Sequence, residues 1–409
     1  MDRLLLLLPT TTYRTQAFVD AAGKLGVDLV CAADQPNVFE AEAPDHLVTL
    51  DFNDPDRAAA RIAERHRRTP ITAVVAVDDL TTVVASAIAE RLGLLANSVA
   101  ATTAARNKHD MRRRLTDAGV PVPRFRLVSL EEDPSMVACH GMYPCVLKPL
   151  TLSASRGVIR ANDPTEFVEA FRRIAKLLQR DDVVVTGDGA RSLLVDQYVP
   201  GDEVALEGLL MSGQLHTLAI FDKPDPLEGP FFEETIYVTP SVLPSRVQDR
   251  IATATADACA ALGLSEGPIH AELRVNEQGP WVLEIAARSI GGLCSRTLTF
   301  GTGMSLEELI LRRALRWPID SLAREQRAAG VMMIPIPRAG RLCEVRGREH
   351  ALAVPGIDDV AITAHLGQEL IPLPEGYQYL GFIFARADTP QAVTLALRDA
   401  HARLDFEIE

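Results

Sequence analysis

The stretch richest in chemistry is 267–288, GPIHAELRVNEQGPWVLEIAAR. In an extended strand successive side chains alternate between faces. His270, Glu272 and Arg274 therefore share one face, and Ile269, Ala271, Leu273 and Val275 the other. Residues 276–280 read as a turn and 281–286 as the return strand. If a three-residue turn, 277–279, closes the hairpin, Glu272 falls directly opposite Glu284. Opposed Cβ atoms lie about 4.5–5.5 Å apart, where like charges repel. Such a pair asks for a cation, and its hard oxygens suit Mg²⁺, so Glu272 and Glu284 are the candidate metal ligands. A one-residue slip of the turn would instead leave both carboxylates merely solvated.

Only five of the 42 basic residues are lysines: Lys24, Lys108, Lys148, Lys176 and Lys223. A chain that uses Arg by default keeps Lys where a compact ammonium is wanted. Lys24 and Lys176 fall in helical patterns and read as surface residues. Lys148 ends an apolar strand and is followed by a loop of small residues, with hydroxyls at Ser153 and Ser155 and a permissive backbone at Gly157. Exposed N–H groups in such a loop can cradle phosphate, although a plain serine-rich turn has the same composition. Lys108, opening its own helix, offers a second ammonium. In 195–207, VDQYVPGDEVALE, a strand end, an aromatic residue and a Pro-Gly turn could form a flat slot for a base.

The elements that must position these residues alternate at first between strand and helix. Apolar runs at 4–8, 27–32 and 73–77 flank helical periodicity at 15–25 and 55–66, which implies a parallel, doubly wound sheet. The loops after those strands, 9–13 and 78–82, should face a ligand cleft. No G-x-G-x-x-G follows the first strand, which counts against a dinucleotide enzyme. Beyond residue 105 the pattern turns to helices at 107–117, 165–178, 245–262 and 305–315 among short strands, with a hairpin at 201–221. Residues 317–330 read as a linker, and the rest of the chain as a small α+β module.

Composition limits the partners. The chain has 409 residues, 47% hydrophobic and 24% charged, with a net charge of −13. That length implies two to four domains, and that charge disfavours nucleic acid as a sequence-independent partner. The leucines of 4–8 are too few for a secretory core, and nothing approaches the roughly 18 apolar residues of a membrane span. Six scattered cysteines suggest neither a disulfide framework nor a zinc site. The expectation is a cytoplasmic α/β protein with no membrane partner.

The order of these pieces is a helix lysine, a strand lysine with its loop, a D-Q-Y-V run, two strand carboxylates and an Arg. That order resembles the ATP-grasp superfamily. The E-x-A-A-R ending with H-x-E before it, the segment 222–241, and the tail with VMMIPIPRAG and PLPEGYQYLGFIFARADTP are similar to L-amino-acid ligases of the bacilysin synthetase kind. The resemblance implies a mixed α/β and α+β architecture: a pre-ATP-grasp parallel-sheet domain at 1–105, a two-lobed ATP-grasp domain at 106–316 hinged near 196–199, and a C-terminal α+β domain at 317–409. It implies that Lys108 and Lys148 contact the phosphates of ATP. Ser153, Ser155 and Gly157 would belong to a lid, Asp196, Gln197, Tyr198 and Val199 to the adenine hinge, and Glu203 would hold the ribose. Glu272 and Glu284 would bind Mg²⁺, Arg288 would hold the substrate carboxylate or the developing oxyanion, and His270 would serve the same region.

Gln197 stands where the family usually has Lys, and Ala286 where it usually has Asn, so one customary metal ligand is missing. The implied reaction joins a small carboxylate to an amine, both expected to be amino acids, through an acyl phosphate, in a homodimer. Segments 222–239 and 290–295 are expected to supply the substrate pocket. Two other readings are a purine-pathway ligase or biotin-type carboxylase, and a nucleotide-binding regulator without turnover.

Overall fold

The computed structural model describes residues 2–183, 185 and 187–409. The N-terminal segment forms a four-stranded parallel sheet in the order Leu47–Thr49, Asp28–Ala33, Arg3–Leu8, Ala73–Ala76. The central strand is apolar throughout because both its faces are covered: Leu4, Leu6 and Leu8 enter one core and Leu5 and Leu7 another. Helix Thr15–Leu25 ends at Gly26 in the left-handed conformation, and Pro55–Arg68 begins with Pro after an Asp54 cap. Strand Leu47–Thr49 and helices Asp79–Leu92 and Val99–Arg106 carry too weak a periodicity to be read from sequence.

A second four-stranded sheet, ordered Phe125–Ser129, Ser192–Gln197, Cys145–Pro149, Ile159–Ala161, forms a small lobe. Helix Pro164–Leu177 covers it, presenting Phe167, Phe171 and Ile174 to that core. An eight-stranded antiparallel sheet forms the large lobe. Its order is Gly279–Ala286, Gly267–Asn276, Asp202–Met211, Gln214–Asp222, Ile236–Thr239, Ala328–Ile334, Gly381–Ala387, Ile357–Ile362. Helix Ser245–Leu262 packs on the first of these strands, and helix Pro390–Ala402 joins the core under the last ones. Three strands of the tail, Ala328–Ile334, Ile357–Ile362 and Gly381–Ala387, thus extend the sheet that carries Glu272 and Glu284, while Gly340–Arg346, Glu369–Leu370 and Asp405–Ile408 form a three-stranded sheet of their own.

The hairpin corrects one expectation while keeping its consequence. Glu272 does pair directly with Glu284, and His270 with Ala286. The turn, however, has two residues, since Asn276 pairs with Gly279. A bulge makes up the difference: Leu273 faces Val282, leaving Leu283 as the extra residue. Among the described residues, no helix is long and apolar enough to cross a membrane.

Candidate active site

The strands converge on a cavity of about 500 Å³ between the two lobes, closed at one side by the loops after the N-terminal parallel strands. Thr11 and Thr12 follow the first of those strands and Asp78 and Asp79 the last, so both segments expected to face a cleft do so, although 79–82 is the first turn of helix Asp79–Leu92 and not a loop. Phe232, Glu234, Tyr237, Ile290 and Cys294, from the two segments expected to supply a substrate pocket, also line it.

One end is cationic. Lys148 Nζ lies 3.0 Å from Asp196, whose other contacts are to Arg112 at 2.9 and 3.3 Å. Burial works against the Asp196 charge, but Arg112 and Lys148 outweigh it and hold the carboxyl below its usual range. Lys108, also buried, donates to Leu152 O at 2.7 Å and sits 3.3 Å from Glu284. Asn107 caps the helix that Lys108 begins, accepting from the N–H groups of His109 and Asp110. Arg288 reaches Asp79 at 2.7 and 3.0 Å, where burial opposes both charges and their mutual attraction prevails. Arg106 faces the same space. Its Nε is buried without a partner, and its guanidinium makes no hydrogen bond among the described residues.

The other end is acidic. Glu203, Glu234 and Glu272 bring carboxylate oxygens within 4.8 Å of one another, a spacing that could hold a metal ion. Here the cation among them is Lys223, at 2.8 Å from Glu203 and 3.4 Å from Glu272 and in contact with Glu234. Burial, with the neighbouring Glu272 and Glu203 charges, pushes the Glu234 carboxyl up against the pull of Lys223, whereas at Glu272 burial is outweighed by Lys223 and His270, which hold the carboxyl well below the usual range. His270 bridges Glu207 at 3.2 Å and Glu272 at 3.6 Å. Burial disfavours its charge, but those two carboxylates overcome that and lift the imidazole to about 9. Glu207, fully buried, is fixed in turn by the Ile290 N–H at 2.9 Å.

Between the ends lies an apolar slot. Val146, Leu227 and Phe232 are buried together, with Val158 and Tyr198 against them. Tyr198 and Phe232 stack at 6.5 Å, Arg160 covers the Tyr198 ring at 4.0 Å, and the Tyr198 hydroxyl accepts from Arg274 at 2.8 Å. Leu283, turned out by the bulge, also faces the cavity.

These contacts redistribute the expected hinge. Tyr198 and Val199 face the slot, whereas the Asp196 carboxylate is spent on Arg112 and Lys148, and the Gln197 amide oxygen accepts from Arg124 at 2.8 Å. Glu203 lines the cavity, but both its oxygens are engaged, one by Lys223 and one by Arg274 at 3.0 Å. Ser153 and Ser155 border the opening. Gly157 has a left-handed φ of 73° and no room for a Cβ beside Pro149, while its N–H already donates to Pro374 O at 2.9 Å. Its part is conformational, and that N–H is not a free phosphate donor.

Sequence reasoning gave no role to Lys223, Glu234, Arg274, Asp79, Arg106 or Leu283. The scarcity of lysine marked Lys223, and strand alternation put Arg274 on the right face. Glu234 falls in the segment expected to supply a pocket and Asp79 in one expected to face a cleft, and nothing local marks Arg106 or Leu283.

Both carboxylates of the hairpin pair line the cavity, with hard oxygens and a low Glu272 pKa that suit a hard divalent cation. Ala286, beside them, offers no side-chain oxygen.

Residues 141–297 match a family model described as the ATP-grasp domain, 19–94 the ATP-grasp N-terminal domain, and 332–409 the L-amino acid ligase C-terminal domain 2. An L-amino acid ligase from Bacillus licheniformis superimposes over 100% of this chain and 99% of its own, with a TM-score of 0.83 and 25% identity. The alanine–anticapsin ligase of Bacillus subtilis strain 168 is 28% identical over 236 residues, 54% of this chain and 49% of its own. The chain thus spans about half the length of that relative. An uncharacterised protein of Sinorhizobium fredii is 23% identical over the whole chain and 84% of its own length.

Proposed function

Because the chain is an ATP-grasp protein ending in an L-amino acid ligase C-terminal domain, we propose that it joins an amino acid to an amine-bearing partner at the expense of ATP. The observation that carries this reading is the opposed pair Glu272 and Glu284, set in a cavity that Lys108, Lys148, Arg106 and Arg288 also line, with Lys108 3.3 Å from Glu284. A carboxylate attacking a phosphate is an anion approaching an anion, so both reactants need neighbouring positive charge.

Adenine lies in the Tyr198–Phe232–Leu283 slot, and Lys148 and Lys108 hold the phosphates. Glu272 and Glu284 hold magnesium, which when bound screens the phosphate charge. Binding of the ribose by Glu203 requires exchange of the Lys223 or Arg274 contact for a hydroxyl. Arg288, fixed by Asp79, faces the acid and the oxyanion that forms as the amine attacks. Arg106, which lacks a partner of its own among the described residues, takes an anionic group of a substrate. His270 holds Glu272 in place and, as a buried cation between two carboxylates, acts as a positioning residue. Products are the amide, ADP and phosphate, and the working assembly is a homodimer.

The test is phosphate release across pairs of amino acids, with mass spectrometry of the products. Release that requires both an acid and an amine, with a condensed product of matching mass, is expected. Release driven by bicarbonate alone would replace this reading with a carboxylase, and tight ATP binding without release for any pair would replace it with a nucleotide-binding protein.

A further inference from the structure

The phosphate-side loop of the small lobe is not free. Ala154 and Ser155 both have positive φ, and two adjacent non-glycine residues are held there only when the surroundings enforce it. The enforcing contacts come from the far end of the chain. Gly157 N–H donates to Pro374 O at 2.9 Å, and Arg156 Nε donates to Glu375 O at 2.8 Å. The Arg156 guanidinium, 4.9 Å from the Tyr377 ring centroid, also pairs with Asp182 at 2.5 Å. A helix of the small lobe adds Arg173, whose two nitrogens grip the Glu375 carboxylate at 2.5 and 2.8 Å. Arg156 is 93% buried, and it and Tyr377 both face the cavity.

A second tie lies alongside. Arg160 donates from its backbone to Pro230 O at 2.9 Å and from its side chain to Glu228 O at 2.7 Å. That tie joins the small lobe to the large one. The first joins it to the C-terminal segment, and it alone reaches the 153–157 backbone.

We propose that Glu375 and Tyr377 are positioning residues of the reaction: through Arg173 and Arg156 they hold the 153–157 loop down on the cavity, so that the acyl phosphate meets the amine before it meets water. The inference rests on the ligase reading above and assigns its C-terminal domain a part in it. The chemistry makes the requirement plain. Attack by the amine on the acyl carbon forms the amide, expels phosphate and releases a proton. Attack by water expels the same phosphate but returns the starting acid, so ATP is consumed for nothing. Shelter is therefore read in the ratio of phosphate to product, which a merely structural contact would leave unchanged.

The experiment uses the full chain with ATP, Mg²⁺ and the acid–amine pair found by the screen. Phosphate and ligated product are counted for wild type, E375A, Y377A, R173A and the E375A/R173A double variant. An exposed bidentate pair stabilises by about 0.2–1 kcal/mol, which corresponds to a rise in phosphate per product of roughly 1.4- to 5-fold. E375Q, which keeps one acceptor for Arg173, should restore part of the coupling, and the double variant should be no worse than either single one. Amide exchange of 153–158 in the ADP–Mg²⁺ complex should quicken in E375A and Y377A. A wild-type phosphate-to-product ratio in both E375A and Y377A would overturn the proposal, even if their rates fell. If wild type itself makes no condensed product, the ligase reading has failed on its own account. Exchange then decides alone, and loop protection equal to wild type overturns the clasp.

Discussion

The two ends of the cavity solve opposite electrostatic problems with the same residue type. At one end Asp196 sits between Arg112 and Lys148, one carboxylate for two cations. At the other Lys223 sits among Glu203, Glu234 and Glu272, with Arg274 against Glu203 and His270 between Glu272 and Glu207, three cations for four carboxylates. Both lysines are largely buried, with side chains 11% and 3% exposed. Neither group is neutral in itself. The first is left wanting an anion and the second a cation, because buried charge must be compensated. Excess charge of opposite sign on facing walls is what a nucleotide–magnesium complex would balance.

The largest effect should come from the acidic end. In Lys223→Met three half-buried carboxylates lose the buried ammonium they share, and removing one partner of a buried ionic cluster destabilises by up to about 3–5 kcal/mol. Chemical denaturation should show that loss, and Mg²⁺ with ADP should recover more stability in the variant than in wild type. An unchanged denaturation midpoint would break the contrast between the two ends.

Next is Glu284→Gln. The amide keeps the shape and leaves the Lys108 contact to Leu152 O in place, but removes the charge that faces Glu272. Phosphate release should fall at least ~100-fold, the scale of removing one group that stabilises transition-state charge. Circular dichroism and the denaturation midpoint should stay near wild type. Full activity in this variant would detach the hairpin pair from the chemistry.

The third prediction uses the raised His270 pKa. Its folded value of about 9 lies above the ordinary 6.5, so the stability it contributes is complete below pH 6.5 and lost as pH rises through 9. Between pH 7 and 9.5 wild type should lose on the order of 2 kcal/mol that H270Q does not lose, measured without added magnesium. Parallel pH profiles in the two proteins would show that the imidazole is not held as a cation.

How much of this was legible in the sequence depends on the distance between partners. The Glu272–Glu284 pairing is local, and alternation along two strands is enough to find it. The turn length read from NEQGP was wrong, and the pairing survived because the Leu283 bulge restores the register that the shorter turn would have shifted. Helix Ser245–Leu262 and its Gly263 cap follow from periodicity and a stop signal, and the structure has them at those residues. The Lys223 cluster draws on two neighbouring strands, the residue after a third and the segment before a fourth, and Arg288 finds Asp79 at the start of a helix that follows another sheet's strand. No spacing rule connects such residues, because only the chain's return brings them together. The tail shows the same limit: a strand's pattern shows that one face is buried and not which sheet it will join, so nothing local marked Ala328–Ile334, Ile357–Ile362 and Gly381–Ala387 as strands of the large sheet.

The smallest effect completes the comparison, because it repeats the first substitution at the other end. In Lys148→Met, Asp196 keeps its two contacts to Arg112, so no buried carboxylate is stranded. The denaturation midpoint should move by less than about 1 kcal/mol, in contrast to Lys223→Met, where Glu203 keeps Arg274 and Glu272 keeps His270 but Glu234 loses the cation it contacts. What is lost is the cation facing the phosphates. A hydrogen bond to a charged group contributes about 1.5–3 kcal/mol, so kcat/KM for ATP should fall roughly 10-fold or more. The same exchange of ammonium for thioether would then register as stability at one wall and as turnover at the other. If Lys148→Met instead unfolded the protein while turnover per folded molecule held, Lys148 would belong to the scaffold, and the cationic end would have to act through Lys108, Arg106 and Arg288 alone.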